Sequence, residues 1–330
     1  MNPSLLQRCE LFITNRNTIK ETFPWDGSYM YPLCASIFTS KNMTADSLRM
    51  KECRTLLKEK TGVFSNFRGV CRYAITAMLT VDEHPEEKIN NALKAYEMLK
   101  NEFYTSSYLP VASILIADTV PSDQYEEVTL RTRRIYNLMK KEHPFLTSRE
   151  DCIYATLLAF SKETDEYLLN EMERCYEILK PKFFTGNAVQ SLSHVLTLEQ
   201  GSSEGKCRRV VELYDTLKNN GLKYGTNYEL PILGILALLN IDISTIVHDI
   251  TEVDQYLKNQ KGFGIFGITP KQRLMYAGML IADEYFSASN QAMSMSAING
   301  TISIVLAQQA ATCSAIAASS AAAASASSSS

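Results

Sequence analysis

Apolar positions recur along this chain with a period of about forty residues. Segments of helical spacing end in the same order of residue types, namely a tyrosine, an apolar residue three positions later, and a lysine. Residues three apart share one face of a helix, and a lysine in the last turn is attracted by the negative end of the helix dipole. The clear copies are Tyr96 to Lys100, Tyr136 to Lys140, Tyr176 to Lys180 and Tyr214 to Lys218. The pattern predicts helices that end at equivalent points of a repeat.

An aromatic residue and then a threonine follow each of these helix ends, and threonine can cap a new helix. The aromatic residues are Phe103, Phe145, Phe183, Tyr224 and Phe263, and the threonines are Thr105, Thr147, Thr185, Thr226 and Thr269. Eight residues beyond the threonines stand Ser113, Ala155, Ser193, Gly234 and Ala277, all small enough for two helix backbones to approach closely. Pro110 and Pro231 lie inside this stretch, so those two helices either bend there or begin later.

One helical pair cannot bury its apolar faces alone, whereas stacked pairs can. We therefore predict an all-α fold, a right-handed, α-solenoid-like array of antiparallel helical pairs, with residues 1–286 forming a single domain. The predicted pairs are 64–80 with 86–100, 105–118 with 122–140, 147–160 with 165–180, 185–199 with 204–218, and 226–240 with 242–258. Residues 287–330 contain no charged residue and end in alanine and serine, so we expect a weakly ordered tail.

Charge and cysteine spacing limit the function classes. A formal net charge of −3 and a pI near 5.9 are not those of a nucleic-acid-binding protein. The eight cysteines show no CxxC spacing, which argues against a structural zinc site and a redox motif. Met1 to Arg16 has no long apolar core and is not a secretory signal. We expect a cytoplasmic protein. The apolar stretch 297–317 is interrupted by polar residues, so membrane association is a minor alternative.

The residues that could carry chemistry are few. No two of the four histidines are three or four positions apart, so we expect no metal, and nothing indicates a cofactor. His194 lies beside Ser193 on a predicted buried helix. With His143, in a loop, and Asp151, at a helix start, it forms the candidate pocket for an enzyme or a small-molecule binder. The alternatives are structural: a satisfied core histidine, a loop residue and a helix cap.

Three aromatic residues are candidates for binding. Trp25 is the only tryptophan and falls in the turn Phe23 to Ser28, where it could anchor a partner or, as we favour, pack over the end of the array. Tyr136 and Tyr176 could line a groove, although such a stripe more often packs adjacent repeats together.

Segments 64–69, 143–151 and 182–196 resemble a bacterial family of cytoplasmic proteins of about 300 residues and unknown function. The resemblance covers about residues 5–285 and leaves the tail outside. It implies a single domain and an uncharacterised bacterial protein, and it supplies no catalytic residue.

The sequence therefore favours a non-enzymatic scaffold that binds a protein or peptide, because stacked helical pairs present an extended concave surface. One alternative is an enzyme or small-molecule binder at His194, His143 and Asp151. Another is membrane association through the tail. The partner and the oligomeric state stay open.

Overall fold

The computed structural model describes residues 1–24, 30–69, 71–264 and 268–288. These ranges contain α-helices and two short 3-10 turns, and no β-strand. The all-α class is confirmed. The helices are α1 Pro3–Thr22, α2 Met30–Ser40, α3 Ser47–Lys60, α4 Arg72–Thr80, α5 Pro85–Glu102, α6 Leu109–Thr119, α7 Tyr125–Glu142, α8 Asp151–Ala159, α9 Asp165–Leu179, α10 Gly186–Thr197, α11 Ser203–Asn219, α12 Leu230–Leu238, α13 Ile243–Lys258 and α14 Pro270–Ala288.

The helices form two layers. Even-numbered helices are inner helices: every residue of α8 is buried, and so are nearly all residues of α2, α6, α10 and α12. Odd-numbered helices are outer helices, and they bury one stripe while the other side faces solvent. Each outer helix packs against the inner helix that follows it. The sequence analysis instead paired each inner helix with the outer helix that follows it. The packed hairpin therefore begins with the outer helix, half a repeat earlier than predicted.

The two layers close into a ring of hairpins. Successive outer helices contact one another and α13 contacts α1, while in the inner layer α14 contacts both α12 and α2. At the closure, the Phe12 ring lies 6.1 Å from Phe263 and 5.9 Å from Tyr276, centroid to centroid. The sequence pattern predicts that the hairpins stack, but it does not indicate whether the array closes. The closure covers the two end faces that an open array would leave exposed. The right-handed sense of the array stays a prediction.

The predicted small positions lie in the core, and one of them is a close contact between neighbouring inner helices. Ser113, Ala155, Ser193 and Ala277 are almost completely buried. At Gly234, a Cβ atom would lie 2.6 Å from the Cδ1 of Leu192 on α10. A methyl group does not fit at that distance, so the approach of α12 to α10 requires the missing side chain.

The prediction that threonines cap the inner helices is wrong in most repeats. Thr269 does accept the Gln272 N–H, at 3.3 Å. In contrast, α8 begins after the turn that follows Thr147, and α6 begins at Leu109, which resolves the Pro110 question in favour of a later start. At α8 the reason is a turn closed by an acidic side chain, since the Asp151 carboxyl group accepts the Ser148 N–H at 2.7 Å.

Candidate functional site

One end of the ring of hairpins carries large aromatic side chains that are exposed to solvent. We call this end the loop face. It consists of the last turn of each outer helix from α3 to α13, the loop that follows, and the first turn of the next inner helix. Connected helices are antiparallel and neighbouring hairpins pack side by side, so all these loops lie at the same end. The opposite end, where inner helices finish and outer helices begin, is the acidic face.

Each of four consecutive loops sends one ring inward, against a tyrosine of the next outer helix. The centroid distances are 5.0 Å for Phe67–Tyr96, 5.3 Å for Phe103–Tyr136, 4.4 Å for His143–Tyr176 and 5.1 Å for Phe183–Tyr214. Tyr176 is buried and Tyr136 is partly buried. The structure therefore places these two candidate tyrosines in the packing between repeats, which was the alternative to a groove.

The same four loops send a second aromatic ring outward. Phe64, Tyr104, Phe145 and Phe184 have between 88 and 101 % of their surface exposed. The sequence grouped Phe145 with Phe103 and Phe183, but His143 takes the inward position in that loop and Phe145 points to solvent. The sequence signal for this arrangement is the presence of two aromatic side chains in each loop. The sequence does not indicate which of the two points inward.

Basic residues surround these outward rings. The exposed ones on the loop face are Lys58, Arg72, Lys100, Lys140, Lys141, Arg149, Lys180, Lys218, Lys223, Lys258, Lys261 and Lys271. Acidic residues are fewer there, the exposed ones being Glu59, Glu142 and Glu177. The loop face is therefore positively charged although the whole chain has a net charge of −3.

The acidic face has the opposite composition. Its acidic residues, in loops, in first turns of outer helices and in last turns of inner helices, are Asp46, Asp82, Glu83, Glu86, Glu87, Asp118, Asp123, Glu126, Glu127, Glu163, Asp165, Glu166, Glu199, Glu204 and Asp242. Two basic side chains here are engaged within the fold, since Lys88 contacts Asp118 at 2.5 Å and Arg131 contacts Asp165 at 2.8 Å, while Lys41 and Lys162 are exposed. Charge is thus separated between the two ends of one ring.

A buried polar cluster lies beneath the loop face, between α8 and α10. The Nδ1 of His194 is 3.8 Å from the Oδ1 of Asp151, which is too long for a hydrogen bond. Gln190 donates from Nε2 to the Thr147 hydroxyl at 2.8 Å. Two buried atoms of the cluster, His194 Nδ1 and Gln190 Oε1, have no hydrogen-bond partner among the described residues. The Tyr154 ring lies against His194, at 5.1 Å.

Both titratable groups of this cluster are uncharged at neutral pH. Burial raises the pKa of the Asp151 carboxyl to about 8, against the opposing effect of the Ser148 N–H. Burial, with a smaller effect of His143, lowers the pKa of His194 to about 3. Although the two residues are close, they therefore form a neutral pair and not an ion pair.

The other predicted site residues lie apart from this cluster. His143 is held by Glu173 on α9, with its Nε2 2.9 Å from the carboxylate, and it stacks on Tyr176. The three residues of the predicted pocket are therefore divided, with His194 and Asp151 together and His143 between outer helices. Trp25 lies outside the described residues.

One group of side chains on α13 has the spacing of metal ligands. The ligand atoms of His248, Asp249 and Glu252 lie within 4.8 Å of one another. All three already have protein partners: Tyr285 donates to Asp249 at 2.6 Å, His248 is 3.4 Å from Glu252, and the N-terminal ammonium of Met1 forms an ion pair with Glu252.

Comparisons with known proteins place the chain in a family. The family model described as "Protein of unknown function (DUF4003)" matches residues 15–311. The "Uncharacterized protein YeaA" of Bacillus subtilis (strain 168) is 24 % identical over 261 residues, which are 76 % of this chain and 78 % of the relative. No solved structure matches. Among the described helices, none is long and apolar enough to cross a membrane.

The expected resemblance to a bacterial family of unknown function is confirmed. The match extends beyond residue 285, where the resemblance was expected to stop, and reaches residue 311. Because the family model matches most of the sequence, the chain belongs to the DUF4003 family.

Proposed function

We propose that this member of the family is a non-enzymatic binding scaffold that receives its partner on the loop face. The observation that carries the proposal is the set of four fully exposed aromatic rings on consecutive loops. Soluble proteins rarely leave several large apolar side chains exposed together unless the surface meets another molecule. None of the four rings supports the fold, because each loop already has an inward ring that packs between repeats.

The proposed binding surface is not the concave surface that the sequence suggested. A solenoid binds on its concave side, but the inner helices here are buried almost throughout and fill the middle of the ring with core side chains. Inner-helix side chains are thus unavailable to a peptide, and the ends of the ring are what a partner can reach. Of the two ends, the loop face has the exposed rings.

A cytoplasmic location is part of the proposal. Six of the described cysteines are free and buried: Cys9, Cys53, Cys71, Cys152, Cys175 and Cys207. Burial raises the pKa of the Cys71 thiol to about 12, so this side chain is a protonated core residue. Buried free thiols are typical of proteins kept in a reducing compartment.

A photo-crosslinking amino acid placed at Phe145 tests the proposal. Activated in intact cells, it should give defined crosslinked products, because a partner covers this position. The matched control carries the same amino acid at Asp123, an exposed residue of the acidic face. Equal crosslinking at both positions, or none at Phe145, would contradict the proposal.

The buried cluster supports a second candidate function, the binding of a small polar molecule. Its specific observation is the pair of buried unpartnered atoms, His194 Nδ1 and Gln190 Oε1, since buried polar atoms are nearly always hydrogen-bonded. A thermal-shift screen of small polar molecules would compare the wild type with Gln190→Leu. A compound that stabilises only the wild type supports this function, and equal shifts in both proteins count against it.

A further inference from the structure

We infer that the partner of the loop face is an anionic membrane surface, which the four outward rings enter and the surrounding lysines hold by charge. This inference rests on the proposed function and names the class of partner. It differs from association through the tail, because every residue invoked lies in the loops and helix ends of the ring.

The type of basic residue favours a membrane over a protein. Around the outward rings the basic residues are mostly lysines, among them Lys100, Lys141 and Lys180. Protein–protein interfaces are enriched in aromatic residues and arginine but depleted in lysine. Aromatic rings together with lysine are instead typical of surfaces at the headgroup level of a bilayer, where rings occupy the interface and lysines meet anionic lipids.

The arrangement of the rings also favours a flat, soft partner. Phe64, Tyr104, Phe145 and Phe184 stand on separate loops of four successive hairpins, so they form a rim of single protruding rings. A protein partner would need one matching pocket for each ring. A lipid interface accepts separate rings without shape complementarity, and binding grows with the apolar area that enters it.

Charge separation gives the ring a defined orientation on such a surface. The acidic face, with first-turn residues such as Glu126, Glu127 and Glu166, is repelled by anionic lipids. The loop face is attracted by the same lipids. Both effects turn the loop face toward the membrane, where the outward rings are. Since none of the described helices could cross a bilayer, the contact is peripheral.

The first experiment measures sedimentation of the full chain with vesicles of phosphatidylcholine containing about one third phosphatidylglycerol. The wild type should sediment with these vesicles and not with vesicles of phosphatidylcholine alone. The double variant Phe145→Ser, Phe184→Ser should bind about tenfold more weakly, because two rings no longer enter the interface. The control is Leu48→Ser, Tyr167→Ser, which removes two exposed apolar side chains from the acidic face and should bind like the wild type.

The second experiment changes charge. Lys141→Glu, Lys218→Glu should also weaken binding about tenfold or more, since each lysine near anionic lipids contributes on the order of 1 kcal/mol, and 1.4 kcal/mol corresponds to a factor of ten. Lys162→Glu, a reversal of an exposed lysine on the acidic face, should leave binding unchanged. Raising the salt concentration should release the wild type.

The outcomes separate this inference from the proposed function. Vesicle binding that survives the Phe145→Ser, Phe184→Ser change overturns the inference, since another part of the chain would then be responsible. Equal binding to uncharged vesicles, or no vesicle binding, overturns it as well. If crosslinks at position 145 go to a protein or an RNA while vesicles are not bound, the membrane inference fails and the scaffold proposal stands. If position 145 gives no crosslink to any molecule, both fail.

Discussion

The two ends of the ring of hairpins are made from the same helices and yet present different side chains to solvent. On the acidic face, Arg131 is turned inward and bonds the carbonyls of Ala159, Ser161 and Glu163, which end α8 and lead into α9. On the loop face, many lysines and four rings extend into solvent. Both ends hold neighbouring hairpins together, but only the loop face also extends four aromatic rings into solvent.

Helix electrostatics explains only part of this difference. Acidic residues at helix starts and lysines at helix ends compensate the helix dipole, and this accounts for the sign of charge on each face. It does not account for exposed phenylalanines, because neither capping nor dipole compensation needs an aromatic ring. The outward rings are therefore the feature of the loop face that calls for a function.

The largest expected effect is a difference in stability between variants of two adjacent residues of the loop face. Phe183 is buried against Tyr214, whereas Phe184 is exposed. We expect Phe183→Ala to lower the free energy of unfolding by about 3–5 kcal/mol, since it removes a packed ring from the core. Phe184→Ala should change it by less than about 0.5 kcal/mol. Urea unfolding of both variants measures this.

Phe145→Ala is a second exposed control and should resemble Phe184→Ala. A comparable loss of stability in Phe183→Ala and Phe184→Ala would break the distinction between inward and outward rings. The argument that the outward rings serve binding would then lose its basis.

The next largest effect is expected on the acidic face. Arg131→Ala removes a half-buried guanidinium that bonds Asp165 and several carbonyls, so we expect a loss of about 2–3 kcal/mol. Arg134→Ala is the matched control, because Arg134 contacts the same Asp165 but is largely exposed, and its loss should be below about 1 kcal/mol. Equal effects in urea unfolding would contradict the structural role assigned to Arg131.

A substitution midway between the faces tests the packing that joins them. Gly234→Ala places a methyl group 2.6 Å from the Cδ1 of Leu192, so the buried Leu192 side chain or the packing of α10 against α12 must shift. Overpacking of this kind costs about 1–3 kcal/mol. Gly264→Ala serves as the control because a Cβ there meets nothing within 4 Å. Unchanged thermal stability in Gly234→Ala would mean that the inner helices are more loosely packed than the structure shows.

Much of the fold could be predicted because the helical period and the small positions are local patterns. Gly234 was expected to lie where neighbouring helices approach closely, and it does, while Ser193 is buried as expected. Ring closure could not be predicted in this way, because the contact of Phe12 with Phe263 joins distant parts of the chain and no repeat pattern encodes it. The start of α8 was misjudged because the Asp151 carboxyl group closes the turn where Thr147 was expected to do so.

The candidate site was less predictable. His194 and Asp151 were singled out by residue type and are indeed neighbours, 3.8 Å apart. His143 was grouped with them, but its imidazole binds Glu173 between outer helices. The outward direction of Phe145 depends on which side chain in its loop reaches Tyr176, and this is a matter of three-dimensional packing that alternation along the sequence does not reveal.

The smallest expected effect concerns pH and comes from Asp151, the buried acid beneath the loop face. Its pKa is about 8 in the folded protein and about 3.9 when unfolded. Between these values the folded state holds the extra proton, so stability falls as pH rises and the fall ends once pH exceeds about 8. Because the pKa of His194 is lowered to about 3, this residue reduces the stability of the protein only at acidic pH.

Asp151→Asn should therefore flatten the pH dependence of stability, since the amide oxygen can still accept the Ser148 N–H but does not titrate. One proton corresponds to about 1.4 kcal/mol per pH unit, so between pH 7 and 8 the variant should gain about 1 kcal/mol on the wild type. Asp283, whose pKa burial raises to about 7, titrates in both proteins and cancels in the difference.

Urea unfolding at several pH values measures the effect, with Glu142→Gln as the control for loss of an exposed carboxylate from the same face. Parallel curves for wild type and Asp151→Asn would show that Asp151 is ionised in the fold, and the neutral pair with His194 would have to be abandoned.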